Sequence, residues 1–174
     1  MFGKEEVKVF LKEKGIPFRW VEHKAVYTIE EMEELGLEKM EETAKNLFLR
    51  DAKGKRHFLV TLHKDKKADL KELEADKQAN LKERGEKLGG VRLSFASEER
   101  LEKYLGLKKG AVTPLGILND TACAVKVFLD RDFLEKEEIG VHPNDNTASV
   151  YLKTADLMQI IKEHGNSLEV LSFA

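Results

Sequence analysis

The chain has 174 residues and a formal net charge of -2, with 36% charged and 41% hydrophobic residues. This length suits one domain with a substantial core, and the composition excludes an intrinsically disordered chain. The lone Cys123 cannot form an internal disulfide, and residues 1–15 are too charged for a signal peptide or a membrane span. We therefore expect a single domain over residues 1–174, a cytoplasmic location and no membrane partner.

The N-terminal region predicts a helix, a strand and a second helix. Apolar residues at helical spacing indicate a helix over residues 4–14, and a short strand over residues 18–21 follows it. Thr28 and Glu31 form a capping-box pattern, in which each side chain satisfies the end of a new helix. Gly36 is the predicted end of that helix.

A hairpin with a basic surface is predicted next. Alternating residues indicate strands over 45–50 and 56–63, joined by a turn over 51–54. The first strand places Lys45 on one face with two leucines, where most lysines simply reach solvent. Between residues 50 and 71 eight basic residues stand against three acids, which is typical of a solvated hairpin or of a phosphate-binding surface. The candidate contacts to a phosphate backbone are Arg50, Lys53, Lys55, Arg56, Lys64, Lys66 and Lys67.

The remaining elements are predicted from periodicity and from capping residues. They are one helix or two broken helices over 69–84 with Gly89-Gly90 as the stop, a strand over 91–95, a helix from the Ser97 cap to Gly106, paired strands over 112–118 and 122–129, a strand over 147–153, a helix from the Thr154 cap to Gly165, and a strand over 168–173. Hairpins combined with helical crossovers predict an α/β (α+β) fold, with a mixed, curved β-sheet of about seven strands surrounded by four or five helices.

A loop over residues 140–149 contains Gly140, His142, Pro143 and five small polar residues, a composition that a core does not require. Pro143 biases His142 toward an extended backbone, so we expect the imidazole at the rim of a site. Other chemistries lack support in the sequence. Cys123 lies in an apolar, strand-like context, and no zinc-ligand spacing, serine elbow or glycine-rich phosphate loop occurs. We therefore expect neither a metal nor a cofactor.

Three motifs in order along the chain resemble a known family. The segments 45–49 (Lys-Asn-Leu-Phe-Leu), 110–114 (Gly-Ala-Val-Thr-Pro) and 140–143 (Gly-Val-His-Pro) are similar to its lysine-bearing strand, its G-x-x-x-P loop and its G-x-H-P motif. The family is that of the editing domains related to bacterial prolyl-tRNA synthetase, which includes the YbaK-type proteins and the ProX-type alanyl-tRNA(Pro) deacylases. The resemblance extends from about His23 to Val170.

The resemblance implies a trans-acting hydrolase that deacylates mischarged alanyl-tRNA(Pro), since the chain has no room for the catalytic and anticodon-binding domains of a synthetase. Its implied partners are mischarged tRNA(Pro) and, transiently, prolyl-tRNA synthetase or an elongation factor, with no role for DNA. Two alternatives remain open: a YbaK-type cysteinyl-tRNA(Pro) deacylase, and a module that binds tRNA or a synthetase without catalysis.

An aminoacyl ester is already activated, so positioning and oxyanion stabilisation can suffice for its hydrolysis. By resemblance the catalytic residues are Lys45, a protonated clamp for phosphate or oxyanion, and His142, which positions the substrate or shapes the pocket, with general base as its less favoured role. Backbone amides around Gly110 and Gly140 face the ester, and water attacks with help from the ribose hydroxyl of the substrate. The other expected substrate contacts are Asn46, Thr113, Pro114 and Asn146, with pocket walls at Val26, Thr28 and Ile29.

Overall fold

The computed structural model describes residues 1–34, 42–66 and 93–172, and every structural statement below concerns these ranges. Several predicted features lie outside them. These are the end of the second helix at Gly36, the one or two helices over 69–84 with their stop at Gly89-Gly90, the proposed phosphate contact Lys67, and the last residue of the final strand, Phe173.

The described chain contains four α-helices, two 3-10 helices and eight strands. The elements, in order, are α1 (Lys4–Glu13), β1 (Phe18–Glu22), α2 (Ile29–Glu34), β2 (Ala44–Asp51), β3 (His57–His63), β4 (Leu93–Phe95), α3 (Glu98–Leu105), a 3-10 helix (Pro114–Asn119), β5 (Val125–Asp130), a second 3-10 helix (Arg131–Glu135), β6 (Glu138–Val141), β7 (Ala148–Lys153), α4 (Thr154–His164) and β8 (Leu168–Leu171).

The described strands form two sheets. A mixed sheet has the order β4-β2-β3-β5-β8, in which β2 is antiparallel to β3 and β4, and β5 is parallel to β3 and β8. An antiparallel sheet has the order β1-β7-β6. A parallel bridge between Thr43 and Gly140 joins the two sheets at the start of β2. The predicted fold class with a mixed sheet is confirmed, and its strands are shared between two sheets rather than one.

The central strands of the mixed sheet are buried on both faces. One face of β3 contributes Leu59 to a cluster that includes residues of both sheets and of α1, α3 and α4. The other face contributes Phe58, Val60 and Leu62 to a second cluster, which Leu49 of β2 joins. Because both faces of β2 and β3 are packed, the start of β2 is a rigid base on which a site can be built.

The predicted helix ends are largely confirmed. The Ser97 hydroxyl accepts a hydrogen bond from Arg100 N, and Gly106 ends α3 in the left-handed conformation. Gly165 ends α4 in the same way. The predicted cap at Thr154 is wrong: Lys153 is the cap residue, and Thr154 is the first helical residue. Thr154 Oγ1 instead lies 3.5 Å from the carbonyl oxygen of Lys136.

The predicted strand over 112–118, and with it the pairing to the next strand, is wrong, whereas the strand predicted over 122–129 is present as β5 (Val125–Asp130). The Thr113 hydroxyl accepts a hydrogen bond from Leu115 N, and with proline at the next position the chain enters a 3-10 helix. Cys123 lies in a turn with φ 52° and not in a strand. The carboxylate of Asp120 accepts bonds from the backbone N–H groups of Ala124 and Val125, which closes this turn and starts β5 beside β3.

The predicted loop over 140–149 begins with regular structure. Gly140 and Val141 are the last residues of β6 and pair with Tyr151 and Val150 of β7. The remaining loop, from His142 to Thr147, is a short connection between two antiparallel neighbours. Pairing with β7 thus holds both ends of the loop and fixes the backbone on either side of His142.

Candidate active site

A cavity of about 190 Å³ opens at the start of β2. The three motif segments, which are far apart in the sequence, meet there. The Thr43–Gly140 bridge brings β6 and its loop beside β2, and Gly110 reaches the cavity by lying against Tyr27. Six predicted site residues line the cavity. They are Lys45, Asn46, Val26, Thr28, Gly110 and His142, and the remaining wall is formed by Tyr27, Thr43, Ala44 and Val112.

Lys45 lies on β2 opposite Leu62, and its ammonium group donates a hydrogen bond to the carbonyl oxygen of Lys66. Lys66 is itself held by two carboxylates, with its Nζ 2.8 Å from Asp130 Oδ1 and 2.9 Å from Asp132 Oδ2. Burial alone would lower the pKa of Lys66, but its hydrogen bonds to both carboxylates raise it. The segment that accepts the bond from Lys45 is therefore anchored by ion pairs to the end of β5.

His142 presents one ring nitrogen as an acceptor. Its Nδ1 lies 2.9 Å from the carbonyl oxygen of Ala148, which can only accept, so Nδ1 carries the proton and Nε2 has the lone pair in the neutral ring. Burial lowers the pKa of His142, the bond to Ala148 opposes this, and nearby His23 lowers the pKa further. At neutral pH the cavity wall therefore carries an uncharged imidazole.

The loop at Gly110 lies directly against Tyr27. Gly110 has φ 88°, and a Cβ added there would lie 2.6 Å from Cδ1 of Tyr27, so only glycine permits this approach. Asn146 does not line the cavity, but its Nδ2 donates to the carbonyl oxygen of Val26 at 2.9 Å. Asn146 thus fixes the position of the wall residue Val26 from behind.

Four further predicted contacts are not among the residues that line the described cavity. Thr113 and Pro114 are buried at the start of the 3-10 helix, where they shape the backbone that follows Gly110. Gly140 lies within β6, and its backbone packs against the ring of Tyr151. Ile29 is the first residue of α2, and its side chain lies outside what the structure describes.

Sequence reasoning missed Thr43 and Tyr27. The Thr43 hydroxyl lies in the cavity wall and 3.4 Å from the hydroxyl of Tyr151. Strand periodicity could have identified Thr43, because it lies two residues before Lys45 and alternate residues of a strand share a face. Tyr27 stands between two predicted wall residues, and 60% of its surface is exposed.

The basic hairpin lies at the other end of β2. Lys53, Lys55 and Arg56 are exposed near its turn, roughly 20 Å from Lys45 at the rise of a strand. Two other predicted phosphate contacts already neighbour acids: Lys66 pairs with Asp130 and Asp132, and Lys64 Nζ lies 3.1 Å from Asp65. Lys66 is therefore better explained as the anchor beside Lys45 than as a phosphate contact.

The cavity offers a cation, a neutral imidazole, an amide and hydroxyl groups. Within the described ranges no group of three or more histidine, cysteine or acidic residues is arranged to hold a metal ion. Cys123 lies away from this wall, with its Sγ 3.3 Å from the carbonyl oxygen of His164. Such a set of groups can position a polarised carbonyl and stabilise negative charge on it.

We expect the free energy of unfolding to decrease as the pH falls below about 6.5. The pKa values of His57 and His142 are both lowered from 6.5, in each case first by burial, so the unfolded chain binds protons that the folded chain does not. Each group contributes at most about 1.4 kcal/mol per pH unit. Urea unfolding at pH 7.5, 6.5 and 5.5 measures this decrease in unfolding free energy, which should be smaller in His142→Gln. If the decrease is the same in that variant, His142 does not contribute to it.

The family comparison matches most of the chain. Residues 23–160 match the model of the aminoacyl-tRNA editing domain, a segment that contains the whole cavity wall. None of the helices in the described part of the chain combines the length and apolar character needed to cross a membrane.

Individual proteins show the same similarity. The chain is 46% identical over 171 residues to the prolyl-tRNA editing protein ProX of Acetoanaerobium sticklandii, covering 98% of each chain. It is 29% identical to the multifunctional Ser/Thr-tRNA deacylase ProXp-y of Escherichia coli, covering 86% of this chain and 83% of that one. A crystal structure of a candidate trans-editing enzyme for prolyl-tRNA synthetase has the same fold, with a TM-score of 0.66 at 21% identity and coverage of 98% and 97%.

Proposed function

This chain belongs to the aminoacyl-tRNA editing domain family, and we propose that it acts in trans to hydrolyse mischarged alanyl-tRNA(Pro). One observation carries the proposal: Lys45, His142 and the Gly110 loop line one cavity of about 190 Å³. The full-length similarity to a prolyl-tRNA editing protein supports the choice of tRNA. We propose residues 1–174 as one editing domain that works in the cytoplasm.

In the proposed reaction water attacks the carbonyl carbon of the alanyl ester. A new carbon–oxygen bond forms, the carbonyl oxygen takes negative charge, and the bond to the ribose oxygen then breaks. The vicinal ribose hydroxyl passes a proton from the attacking water to the leaving ribose oxygen, so the products are alanine and free tRNA. The protein needs only to hold the ester and stabilise the charge, because the ester is already activated.

Lys45 supplies the charge in this scheme. Its ammonium group binds the terminal phosphate or the developing oxyanion, and the carbonyl oxygen of Lys66 fixes its direction. His142 offers Nε2 as an acceptor for the substrate and shapes the wall. Asn46, Thr28 and the backbone at Gly110 are the remaining proposed contacts on the cavity surface, whereas Thr113, Pro114, Gly140 and Asn146 support the wall from behind.

The proposed selection against proline is steric. A hydrophobic pocket discriminates one methylene by only about 1 to 3 kcal/mol, so exclusion of the larger residue must come from a wall that cannot move. Val26 is 2% exposed, and the carbonyl oxygen and N–H of its backbone are both bonded to Asn146. A wall fixed in this way admits alanine and rejects proline.

Ester loss from three substrates tests the proposal. The purified protein is incubated with alanyl-, cysteinyl- and prolyl-tRNA(Pro), and the amino acid released is measured over time. Release of alanine alone is the expected result. Release of cysteine in preference to alanine would favour a cysteine editor, and tight tRNA binding without any ester loss would favour a binding module.

Val26→Ala is expected to weaken the discrimination between alanine and proline. Removing two methyl-sized groups from the fixed wall leaves space for the proline ring, and we expect hydrolysis of prolyl-tRNA(Pro) to rise about tenfold relative to that of alanyl-tRNA(Pro). The ratio of the two kcat/KM values measures this change. Val9→Ala, on an exposed site of α1, is the matched control. An unchanged ratio in Val26→Ala would remove Val26 from the specificity wall.

The proposed partners are mischarged tRNA(Pro), with prolyl-tRNA synthetase or an elongation factor binding transiently. For the tRNA backbone we propose Arg50, Lys53, Lys55 and Arg56 at the turn of the hairpin, with Lys64 nearer the cavity. Lys66 is withdrawn from this set because its ammonium group pairs with two carboxylates.

A further inference from the structure

Two arginines from distant parts of the chain meet over the hairpin turn. A Cβ added to Gly54 would lie 2.9 Å from Nη2 of Arg50 and 2.8 Å from Nη2 of Arg100. The two guanidinium nitrogens are therefore less than about 6 Å apart, and both pack closely against Gly54. Two N–H donors at this separation can bind one anion together, since each bond spans about 2.9 Å.

Arg100 is held in place before any ligand arrives. Its Nη1 lies 3.0 Å from the carbonyl oxygen of Gly54 and 3.1 Å from Nε2 of His57. His57 is itself stacked between two aromatic rings, with centroid distances of 3.9 Å to Tyr104 and 5.6 Å to Phe48. Burial first, and then the charge of Arg100, lower the pKa of His57, so its Nε2 accepts the bond from Arg100.

Arg50 is oriented by the turn. Its Nε donates to the carbonyl oxygen of Asp51 at 3.1 Å, and its Nη2 donates to that of Ala52 at 3.2 Å. These bonds fix both guanidinium groups through uncharged acceptors. Among the described residues neither group forms an ion pair with a carboxylate, although two like charges have been brought together.

Most charged side chains on the surface around Arg50 and Arg100 are basic. Lys53, Lys55 and Arg56 are exposed beside the pair, and Lys103 follows on α3. The carboxylate of Asp51 is buried and is used by the backbone N–H groups of Lys55 and Arg56, with Arg56 Nε at 3.6 Å. Glu98 and Glu99 occupy the first turn of α3, where they suit the helix dipole. Repulsion between the guanidinium groups is relieved best by a bound anion.

We propose that Arg50 and Arg100 form a clamp for one phosphate of the tRNA acceptor arm, with Gly54 allowing both guanidinium groups to lie close together against the turn. The inference rests on the proposed function and adds a second contact point to the same substrate. The clamp lies roughly 15 to 20 Å from Lys45 at the rise of a strand, so its phosphate is several nucleotides away from the ester. Phosphate contacts of this kind position a nucleic acid without reading its sequence.

The test compares a long and a short substrate. Arg50→Gln, Arg100→Gln and the double variant are assayed with alanyl-tRNA(Pro) and with alanyl-adenosine, which cannot span the distance to the clamp. We expect KM for alanyl-tRNA(Pro) to rise about tenfold in each single variant, with kcat retained. In the double variant the rise in KM should be larger than in either single variant but smaller than the product of the two single rises, because both arginines bind one phosphate. The kcat/KM ratio of long to short substrate should fall accordingly.

Binding of uncharged tRNA(Pro) supplies a measurement that is independent of catalysis. The slope of log K against log salt concentration should decrease by about one unit in each arginine variant. Lys162→Gln, an exposed charge removed from α4, is the matched control and should leave both affinity and slope unchanged. Thermal unfolding of every variant shows whether its fold is retained.

The outcomes separate the arginine clamp from the proposed hydrolase activity. Unchanged tRNA affinity and salt slope in Arg100→Gln would overturn the clamp, as would an equal loss of activity on alanyl-adenosine, which would indicate a general structural effect. If the wild-type protein hydrolyses neither ester but Arg100→Gln still weakens tRNA binding, the clamp stands and the proposed hydrolase activity fails.

Discussion

Lys45→Ala is expected to reduce kcat/KM for alanyl-tRNA(Pro) hydrolysis by roughly 100-fold or more. Removing a single preorganised donor to an oxyanion costs about 100- to 1,000-fold in other enzymes, and Lys45 is the cation on the described wall of the cavity. Its ammonium group reaches this position by donating to the carbonyl oxygen of Lys66, so shortening the side chain leaves the cavity without that charge.

The kinetic constants of Lys45→Ala distinguish the two roles proposed for the ammonium group. If it binds the terminal phosphate, KM rises and kcat is largely retained, whereas stabilisation of the oxyanion predicts a fall in kcat at nearly constant KM. Lys45→Met keeps most of the aliphatic stem and separates loss of charge from loss of packing. Lys12→Ala, on the exposed side of α1, is the control for general removal of a lysine. Wild-type deacylation by Lys45→Ala would contradict the clamp in either form.

The strand that carries Lys45 could be predicted because local signals and the final packing agree. Alternation on β2 places Lys45, Leu47 and Leu49 on one face, and the structure assigns both leucines to the same cluster. The caps at Ser97 and Gly106 are likewise local, since each depends on a side chain or a backbone angle within one turn. Elements of this kind are specified by residues close together in the chain.

Features that depend on distant partners were missed or placed differently. The division into two sheets follows from pairing of β1 and β6 with β7, and no short segment shows which strand will be the neighbour. Residues 112–118 read as a strand by alternation, but Thr113 and Pro114 impose a 3-10 helix. Arg100 has no recognisable motif, and its relation to Arg50 arises only when α3 packs beside the hairpin.

Gly140 shows how one motif residue can have a role other than the one its sequence implies. The G-x-H-P motif implies that Gly140 offers a backbone amide to the ester. In the structure a Cβ on Gly140 would lie 2.4 Å from Cε1 of Tyr151, whose side chain is 1% exposed. Gly140 is therefore required by close packing between β6 and β7, and the hydroxyl of Tyr151 links this packing to Thr43 in the cavity wall.

Gly140→Ala is accordingly expected to destabilise the protein and to impair catalysis together. The Tyr151 ring cannot move away freely, because the guanidinium of Arg19 lies 4.0 Å from its centroid and the side chain is fully packed. Overpacking of this kind costs about 1 to 3 kcal/mol, and each kcal/mol lowers Tm by roughly 2 to 4 °C in a chain of this size. Displacement of the Tyr151 hydroxyl should also shift Thr43 and reduce kcat/KM.

A mutant cycle identifies the ring of Tyr151 as the cause. In Tyr151→Phe the ring remains, so the loss of unfolding free energy caused by Gly140→Ala should be unchanged. In Tyr151→Leu the closest atom, Cε1, is removed together with Cζ, and the loss should shrink because the two substitutions are coupled. Gly3→Ala, where a Cβ would meet only the flexible end of Glu6 at 3.3 Å, is the matched control: it replaces the N-cap glycine of α1 and should cost about 1 kcal/mol or less, equally in every Tyr151 background. If Gly140→Ala costs the same in the Tyr151→Leu background as in the Tyr151→Phe background, measured by urea unfolding, the strain lies elsewhere in β6.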